Sequence, residues 1–276
     1  MKHRILWLGA FVSAVAGCRQ PPRRDEPKPA VSVQLSAAPT VSASASAPLA
    51  RLRATEVVAP GLHIESGVLG SSAQWGFTEL GLDLKRVELR VVLAKGGAEL
   101  SSLLSPKALA VVNGGYFEAD FRPTTWVVDA GVQLSAKSDT SKGGVLALGR
   151  EGVYIGAMGE LPFAPRLAVQ SFPLVVEPEG KQGVYRDDGR RAARTIACLV
   201  NDALRFIVIT APRGDGPTLF ETATLLREAR PRGFGCRRAL NLDGGPSSGV
   251  WFAPSLQTKQ RPPFAKVGYA IAILPR

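Results

Sequence analysis

From Gly61 onward glycine, proline and Asn/Asp turns cut the chain into strand-length segments, and this punctuation limits the fold more than any other feature. Val87 to Leu93 reads as a strand, and Gly61 to Val68 and Gln74 to Leu80 alternate apolar with polar residues. Three hairpins follow from local chemistry. Trp126–Val128 and Val132–Leu134 flank Asp129-Ala130-Gly131. Val145–Leu148 and Val153–Ile155 flank the segment from Gly149 to Gly152. Thr195–Val200 and Leu204–Thr210 flank Asn201-Asp202-Ala203. Ser101 to Lys107 reads as a short helix or loop stopped by Pro106, and the apolar run Leu167–Phe172 as a partly helical segment. A single clear helix spans about Leu219 to Arg230, with Leu219, Phe220, Ala223, Leu226 and Ala229 on its apolar face and Pro231 and Gly233 ending it. A last strand runs from Gly268 to Leu274. Many short strands with few helices predict an α+β domain of curved or barrel-like, mainly antiparallel β-sheets, a single domain over residues 53–276.

The residues before that domain read differently. Lys2, His3 and Arg4 precede an apolar run, Ile5 to Ala16, and Val15-Ala16-Gly17-Cys18 matches a lipoprotein processing site. Residues 1–18 are therefore expected to be a lipoprotein signal peptide with Cys18 lipidated, and residues 19–52, rich in Pro, Ala and Ser, a disordered tether. The expected location is the bacterial cell envelope, on the periplasmic side or surface, with outer-membrane placement favoured because Arg19 is no inner-membrane retention signal. The membrane would be reached through the N-terminal lipid, with Arg19, Arg23, Arg24 and Lys28 beside anionic headgroups. The formal net charge of +11 is spread along the chain without interleaved aromatics, which argues against a nucleic-acid partner. Oligomeric state is not legible.

Missing residues narrow the chemistry. Beyond the leader only His63 remains, so a histidine-rich metal centre is excluded and a Ser-His-Asp triad has one candidate base. Dinucleotide, phosphate-loop and Gly-x-Ser-x-Gly motifs are absent. Cys198 and Cys236 either pair, as an exported chain allows, or stay as two buried thiols.

Two turns then stand out. The strand from Ala108 feeds Asn113-Gly114-Gly115-Tyr116-Phe117, and the strand from Ala239 delivers Asp243 onto Gly244-Gly245-Pro246-Ser247-Ser248. Each alone reads as a β-turn. Together they read as one site, because glycines permit positive φ and close approach, and successive N–H groups make anion-binding concavities.

These two stretches, with Arg194-Thr195 opening a strand between them, resemble the marks of the phosphodiester glycosidase family over about Gly61 to Leu274. The resemblance implies an α+β domain whose glycine-rich turns meet in one cleft, and hydrolysis of a sugar-1-phosphodiester. Two departures are Pro246, where the family often has glycine, and Thr125 in the Arg122–Val128 stretch, where glycine is usual. On that basis Asp243 is expected to act as acid/base or nucleophile at the anomeric carbon, because a phosphate leaving group needs little protonation. Arg194 would clamp the phosphate, Asn113 orient the sugar, and the N–H groups of Gly114, Gly115, Gly244 and Gly245 cradle oxygens. Thr195, Ser247 and Ser248 would add hydroxyls, and Tyr116, Phe117 and Trp126 either stack on sugars or belong to the core. No cofactor is called for. A divalent cation at Asp243 would need Asn113 and some of Glu118, Asp120 and Asp215 to converge. The competing class is a non-catalytic envelope lipoprotein that binds glycans or anionic polymers in the same cleft.

Overall fold

The computed structural model describes residues 52–69, 75–137, 143–211 and 216–276, all within one compact unit. The leader, Cys18 and nearly all of the tether lie outside the described residues. Among the described residues no helix is long and apolar enough to cross a membrane.

Strands β1 (Leu52–Ala59), β2 (Leu62–Leu69) and β3 (Trp75–Leu82) form an antiparallel meander, followed by the long β4 (Val87–Ala98). A 3₁₀ turn, Leu100–Leu103, leads to β5 (Ala110–Asn113). Hairpins β6 (Val127–Asp129) with β7 (Val132–Ser135), and β8 (Gly144–Leu148) with β9 (Val153–Gly156), form as the turn residues predict. Leu167–Ser171 is strand β10, not a partial helix: it pairs with both β6 and β8, and a central strand buried on both faces reads as a continuous apolar run. Then come β11 (Leu174–Glu177), β12 (Lys181–Gln182), and the third expected hairpin, β13 (Arg194–Val200) with β14 (Ala203–Thr210). Helix α1 (Leu219–Arg227) precedes β15 (Arg238–Asn241), β16 (Val250–Phe252) and β17 (Val267–Pro275).

The strands make three separate antiparallel sheets, so the expected barrel is not closed. The largest runs β1-β2-β3-β14-β13-β15-β11-β12, the second β7-β6-β10-β8-β9 and the third β16-β5-β17-β4. All three contribute to one core, with Leu80, Phe206 and Leu240 meeting Leu146 and Val169 of the second sheet and Val112 and Ile271 of the third. Period-two alternation sends the other faces elsewhere. In β13, Ala197 and Leu199 enter this core, while Ile196 and Cys198 face α1.

Helix α1 starts on a capping box, in which Thr218 accepts from the Glu221 N–H and Glu221 accepts from the Thr218 N–H. It buries Thr222, Ala223 and Leu226, with Leu219 packed alongside. Phe220 points outward, because it falls off that stripe, and the helix stops at Arg227, short of Ala229. Cys236 pairs with Cys198, Cα to Cα 5.7 Å, and ties the segment after the helix to the sheet. A buried ion network does the same farther along: Glu79 takes Arg205 at 2.7 Å and Arg230 at 2.5 Å, and Glu65 takes Arg230 at 2.7 Å.

Candidate active site

The C-terminal end of β15 lies beside the N-terminal end of β13, and that of β5 beside the N-terminal end of β17, each by antiparallel pairing within its own sheet, and hydrogen bonds between the turns then join the two sheets. The two glycine turns and Arg194 therefore meet. Leu242 N–H donates to Thr195 at 2.8 Å, Gly245 N–H to Ala193 at 2.8 Å, and Asp243 N–H to Gly114 at 3.1 Å.

Asn113 is the joint of this assembly. Its Oδ1 accepts from Thr195 Oγ1 at 2.7 Å and Gly249 N–H at 3.1 Å, while Nδ2 donates to the carbonyls of Asp243 at 2.9 Å and Gly114 at 3.1 Å. A buried amide so saturated has no group left for a sugar, so Asn113 positions Asp243 instead of orienting substrate. Thr195, fully buried, spends its hydroxyl on the same joint.

The expected cradle of free amides is not formed. Three of the four amides are taken: Gly114 N–H donates to Tyr269 O at 2.9 Å, Gly244 N–H to Asp243 Oδ1 at 2.9 Å and Gly245 N–H to Ala193 O at 2.8 Å. The glycines answer mostly to crowding. A Cβ on Gly114 would overlap the Tyr269 ring, and one on Gly115 would sit 2.7 Å from its hydroxyl. Only Gly245, of these four, has positive φ, at 60°.

Asp243 is the half-buried acid of the site. Burial pushes its pKa up from 3.8 to about 6, against the Ser247 hydroxyl and the Gly244 N–H, which favour the charged form. Tyr116 stands beside it. Its hydroxyl donates to Phe172 O at 3.1 Å and accepts from Asn241 Nδ2 at 2.9 Å, and its ring stacks on Phe172 at 4.3 Å. Burial, then the Asp243 charge, raise the Tyr116 pKa to about 12, so the phenol stays protonated. Arg194 also acts on Tyr116, which places the phenol within electrostatic reach of both charges.

Arg194 is buried and held by backbone: Nε donates to Pro217 O at 3.1 Å and Nη2 to Arg190 O at 2.9 Å. Pro217 is fixed by the capping box next to it, so the start of α1 sets the guanidinium. Nη1 lies beside Gly244, 3.6 Å from where a Cβ would stand. Among the described residues Arg194 has no ion-pair partner, and burial lowers its pKa. An arginine remains charged even so, and the Asp188 carboxylate, itself beside Arg190, acts on it only at a distance.

Other polar atoms converge here without partners. Asn241 Oδ1, Ser248 Oγ and Ser171 Oγ are buried acceptors or donors left open at the edges of the two turns. Asn241 stands in the Asn241–Ser247 mark but is given no role by the sequence, and Ser171 is not marked at all; a polar residue ending a buried apolar strand is the available signal. Trp126 packs with Val128, Val145 and Ala168 on the outer face of the second sheet, and Phe117 stacks on Phe121 at 5.4 Å, so both rings are packing aromatics. Glu118 and Asp120 are exposed, Asp120 paired with Arg122, and Asp215 lies outside the described residues. No group of three or more His, Cys, Asp and Glu converges among the described residues.

No curated protein matches the sequence. Among solved structures, the zebrafish N-acetylglucosamine-1-phosphodiester alpha-N-acetylglucosaminidase catalytic domain, auto-inhibited by its pro-peptide, superposes with a TM-score of 0.60 at 16% identity, over 82% of this chain and 88% of that one. A hypothetical protein from Synechocystis superposes with a TM-score of 0.56 at 15% identity, over 79% of this chain and 62% of that one. The chain thus spans less than two thirds of the Synechocystis protein, and at these identities both likenesses speak for the fold. The phosphodiester glycosidase family model matches residues 106–274, a span that holds both turns, Arg194 and α1, and the chain belongs to that family of hydrolases.

Proposed function

We propose that this chain hydrolyses a sugar-1-phosphodiester, with Asp243 as acid/base or nucleophile at the anomeric carbon and Arg194 as the phosphate clamp. One observation carries the reading: a carboxylate whose pKa burial raises to about 6 and a buried arginine that no carboxylate among the described residues contacts directly flank the same phenol, Tyr116. A phosphate would contact that guanidinium directly, and its two free oxygens suit a guanidinium fork. The reading requires a substrate that reaches from Nη1, beside Gly244, past Tyr116 to the Asp243 carboxylate. As base, Asp243 takes a proton from water while water oxygen bonds to the anomeric carbon. The bond from that carbon to the phosphate oxygen breaks, and its electron pair leaves with the phosphate monoester. As nucleophile, the carboxylate forms that bond first and water releases it later. A pKa of about 6 serves either role at neutral pH, being low enough for ionisation and high enough for basicity.

Envelope anchoring through Cys18 and the 19–52 tether rests on the sequence pattern and places the substrate outside the cytoplasm. The experiment is a panel of α-sugar-1-phosphate methyl esters. Release of free sugar and a phosphate monoester supports the reading, and the anomer first formed separates the nucleophile (retention) from the base (inversion). Saturable binding of panel members with no product would make this chain a glycan or anionic-polymer binder instead.

A further inference from the structure

Between the second sheet and β4 of the third lies a groove of about 540 Å³, lined by Lys85, Arg150, Arg166 and Arg276. Its floor is apolar, since Leu84, Leu89, Leu148 and Leu167 line it as well. None of the four cations makes an ion pair among the described residues. Arg90, a fifth cation there, is spent on Asp129 at 2.7 Å. Glu88 is the one acidic side chain of the lining, and Arg276 carries a carboxylate where the sequence ends, so at least two positive charges stay uncompensated. The backbones that carry the cations are pinned. Arg166 N–H donates to Leu148 O and its carbonyl accepts from Gly131 N–H, both at 2.8 Å. Arg150 sits on the β8–β9 turn, closed by Gly149 N–H on Gly152 O at 2.9 Å. Lys85 N–H donates to Asp83 Oδ1 at 3.0 Å. Arg276 donates through its N–H to Arg86 O at 2.9 Å and through Nε to Val87 O at 3.0 Å, which leaves its two terminal nitrogens to the groove. The groove is remote from the Asp243 cleft. Strand β10 runs from Leu167 at the groove to Ser171 beside Gly115, and β17 runs from Tyr269, which accepts from Gly114 N–H, to just before Arg276. At about 3.3 Å per residue, Tyr269 and Arg276 stand about 23 Å apart along that strand.

Two halves of a ligand follow from these walls. Guanidinium forks match phosphate oxygens, and a phosphate monoester brings about two negative charges at neutral pH, the surplus that the groove leaves open. A leucine floor takes hydrocarbon by apolar burial. Pinned backbones have met part of the ordering cost, and the size lies within the about 300–1,000 Å³ of ligand clefts. A sugar phosphodiester, singly charged and covered with hydroxyls, matches neither half.

We propose that this groove is a second binding site, for an anionic amphiphile: the phosphate monoester of a hydrocarbon chain, its head among Lys85, Arg150, Arg166 and Arg276 and its chain along the leucine floor. The site is independent of the hydrolytic reading and needs no turnover. Calorimetry on the full chain at low salt tests it with three probes below micelle formation: octyl phosphate (head and chain), inorganic phosphate (head alone) and octyl glucoside (chain without charge). Wild type is expected to bind octyl phosphate about tenfold or more tighter than either of the others. Arg150 and Arg166 are exposed and stand outside the Asp243 site. Replacing both by alanine should weaken octyl phosphate about tenfold and leave octyl glucoside affinity and the thermal midpoint as in wild type. Failure of wild type to bind octyl phosphate overturns the proposal. Equal affinity for octyl phosphate and inorganic phosphate leaves the floor without a role, and equal affinity for octyl phosphate and octyl glucoside does the same for the cations; either result overturns it. Octyl phosphate held in the Asp243 cleft instead would bind the double variant as well as wild type, which overturns it too.

Discussion

Replacing Asn113 by alanine separates a joint from a substrate contact. The amide makes four hydrogen bonds, two as acceptor and two as donor, across β5, β13 and both turns. The Thr195 hydroxyl can rotate to another acceptor, and the Gly114 carbonyl keeps the Asp243 N–H as a partner. The Gly249 N–H and the Asp243 carbonyl lose their side-chain partner in a buried setting. At about 1–3 kcal/mol for each of the two buried polar groups left unsatisfied, the cost is about 2–6 kcal/mol. For a domain of this size that is a fall in Tm of about 4–24 °C. Calorimetric melting and urea titration read the stability, and steady-state kinetics well below the new Tm read the chemistry. Because the Asp243 carbonyl is released, kcat is expected to fall about tenfold or more with KM little changed. A variant that melts within about 1 °C of wild type but shows a raised KM would refute the reasoning and return Asn113 to the substrate.

Glu79→Gln should destabilise the fold by about 1–2 kcal/mol in urea titrations, because Arg205 and Arg230 lose a buried carboxylate but stay partly hydrated and Arg230 keeps Glu65. Cys198→Ala with Cys236→Ala should cost about 3–4 kcal/mol, read the same way, since the bridge closes a loop with a sequence separation of 38. Asp243 gives a pH signature of unusual sign for an acid. Its folded pKa lies above the unfolded value, so the folded state holds the extra proton, and stability falls as pH rises from about 4 through about 6. Asp243→Asn removes that penalty and should be more stable than wild type at pH 7 by about 1–2 kcal/mol, after discounting for partial exposure, and no more stable at pH 3.5; melting at the two pH values checks it.

Local chemistry made much of this fold legible. The three hairpins follow from Asp129-Ala130-Gly131, the Gly149–Gly152 segment and Asn201-Asp202, whose turn residues act within a few positions. The meeting of Asn113 with both the Arg194 strand and the Asp243 turn is expected only through the resemblance, since β5 belongs to a different sheet and side-chain hydrogen bonds, not strand pairing, make the link. What failed was chemistry that depends on distant neighbours. The strand nature of Leu167–Ser171 needed β6 and β8 on either side. The glycine N–H groups looked free only because their acceptors, Ala193 and Tyr269, come from other segments. Pro246 read only as a departure from the family pattern, because the Phe264 and Ala265 N–H groups that its carbonyl accepts come from a later segment. The disulfide stayed open for the same reason, since pairing across 38 positions is decided by tertiary structure.

The central claim is that Asp243 performs the chemistry, and the most direct measurement is kcat of wild type and Asp243→Asn on one α-sugar-1-phosphate ester that the wild type cleaves, from pH 5 to 8. Wild-type turnover should fall on the acid side with a midpoint near 6, where the carboxylate takes up its proton. Asp243→Asn, melting at or above the wild-type temperature, should lose about a thousandfold or more at every pH. An amide variant within about tenfold of wild type, or one that keeps the same acid limb, would contradict the assignment.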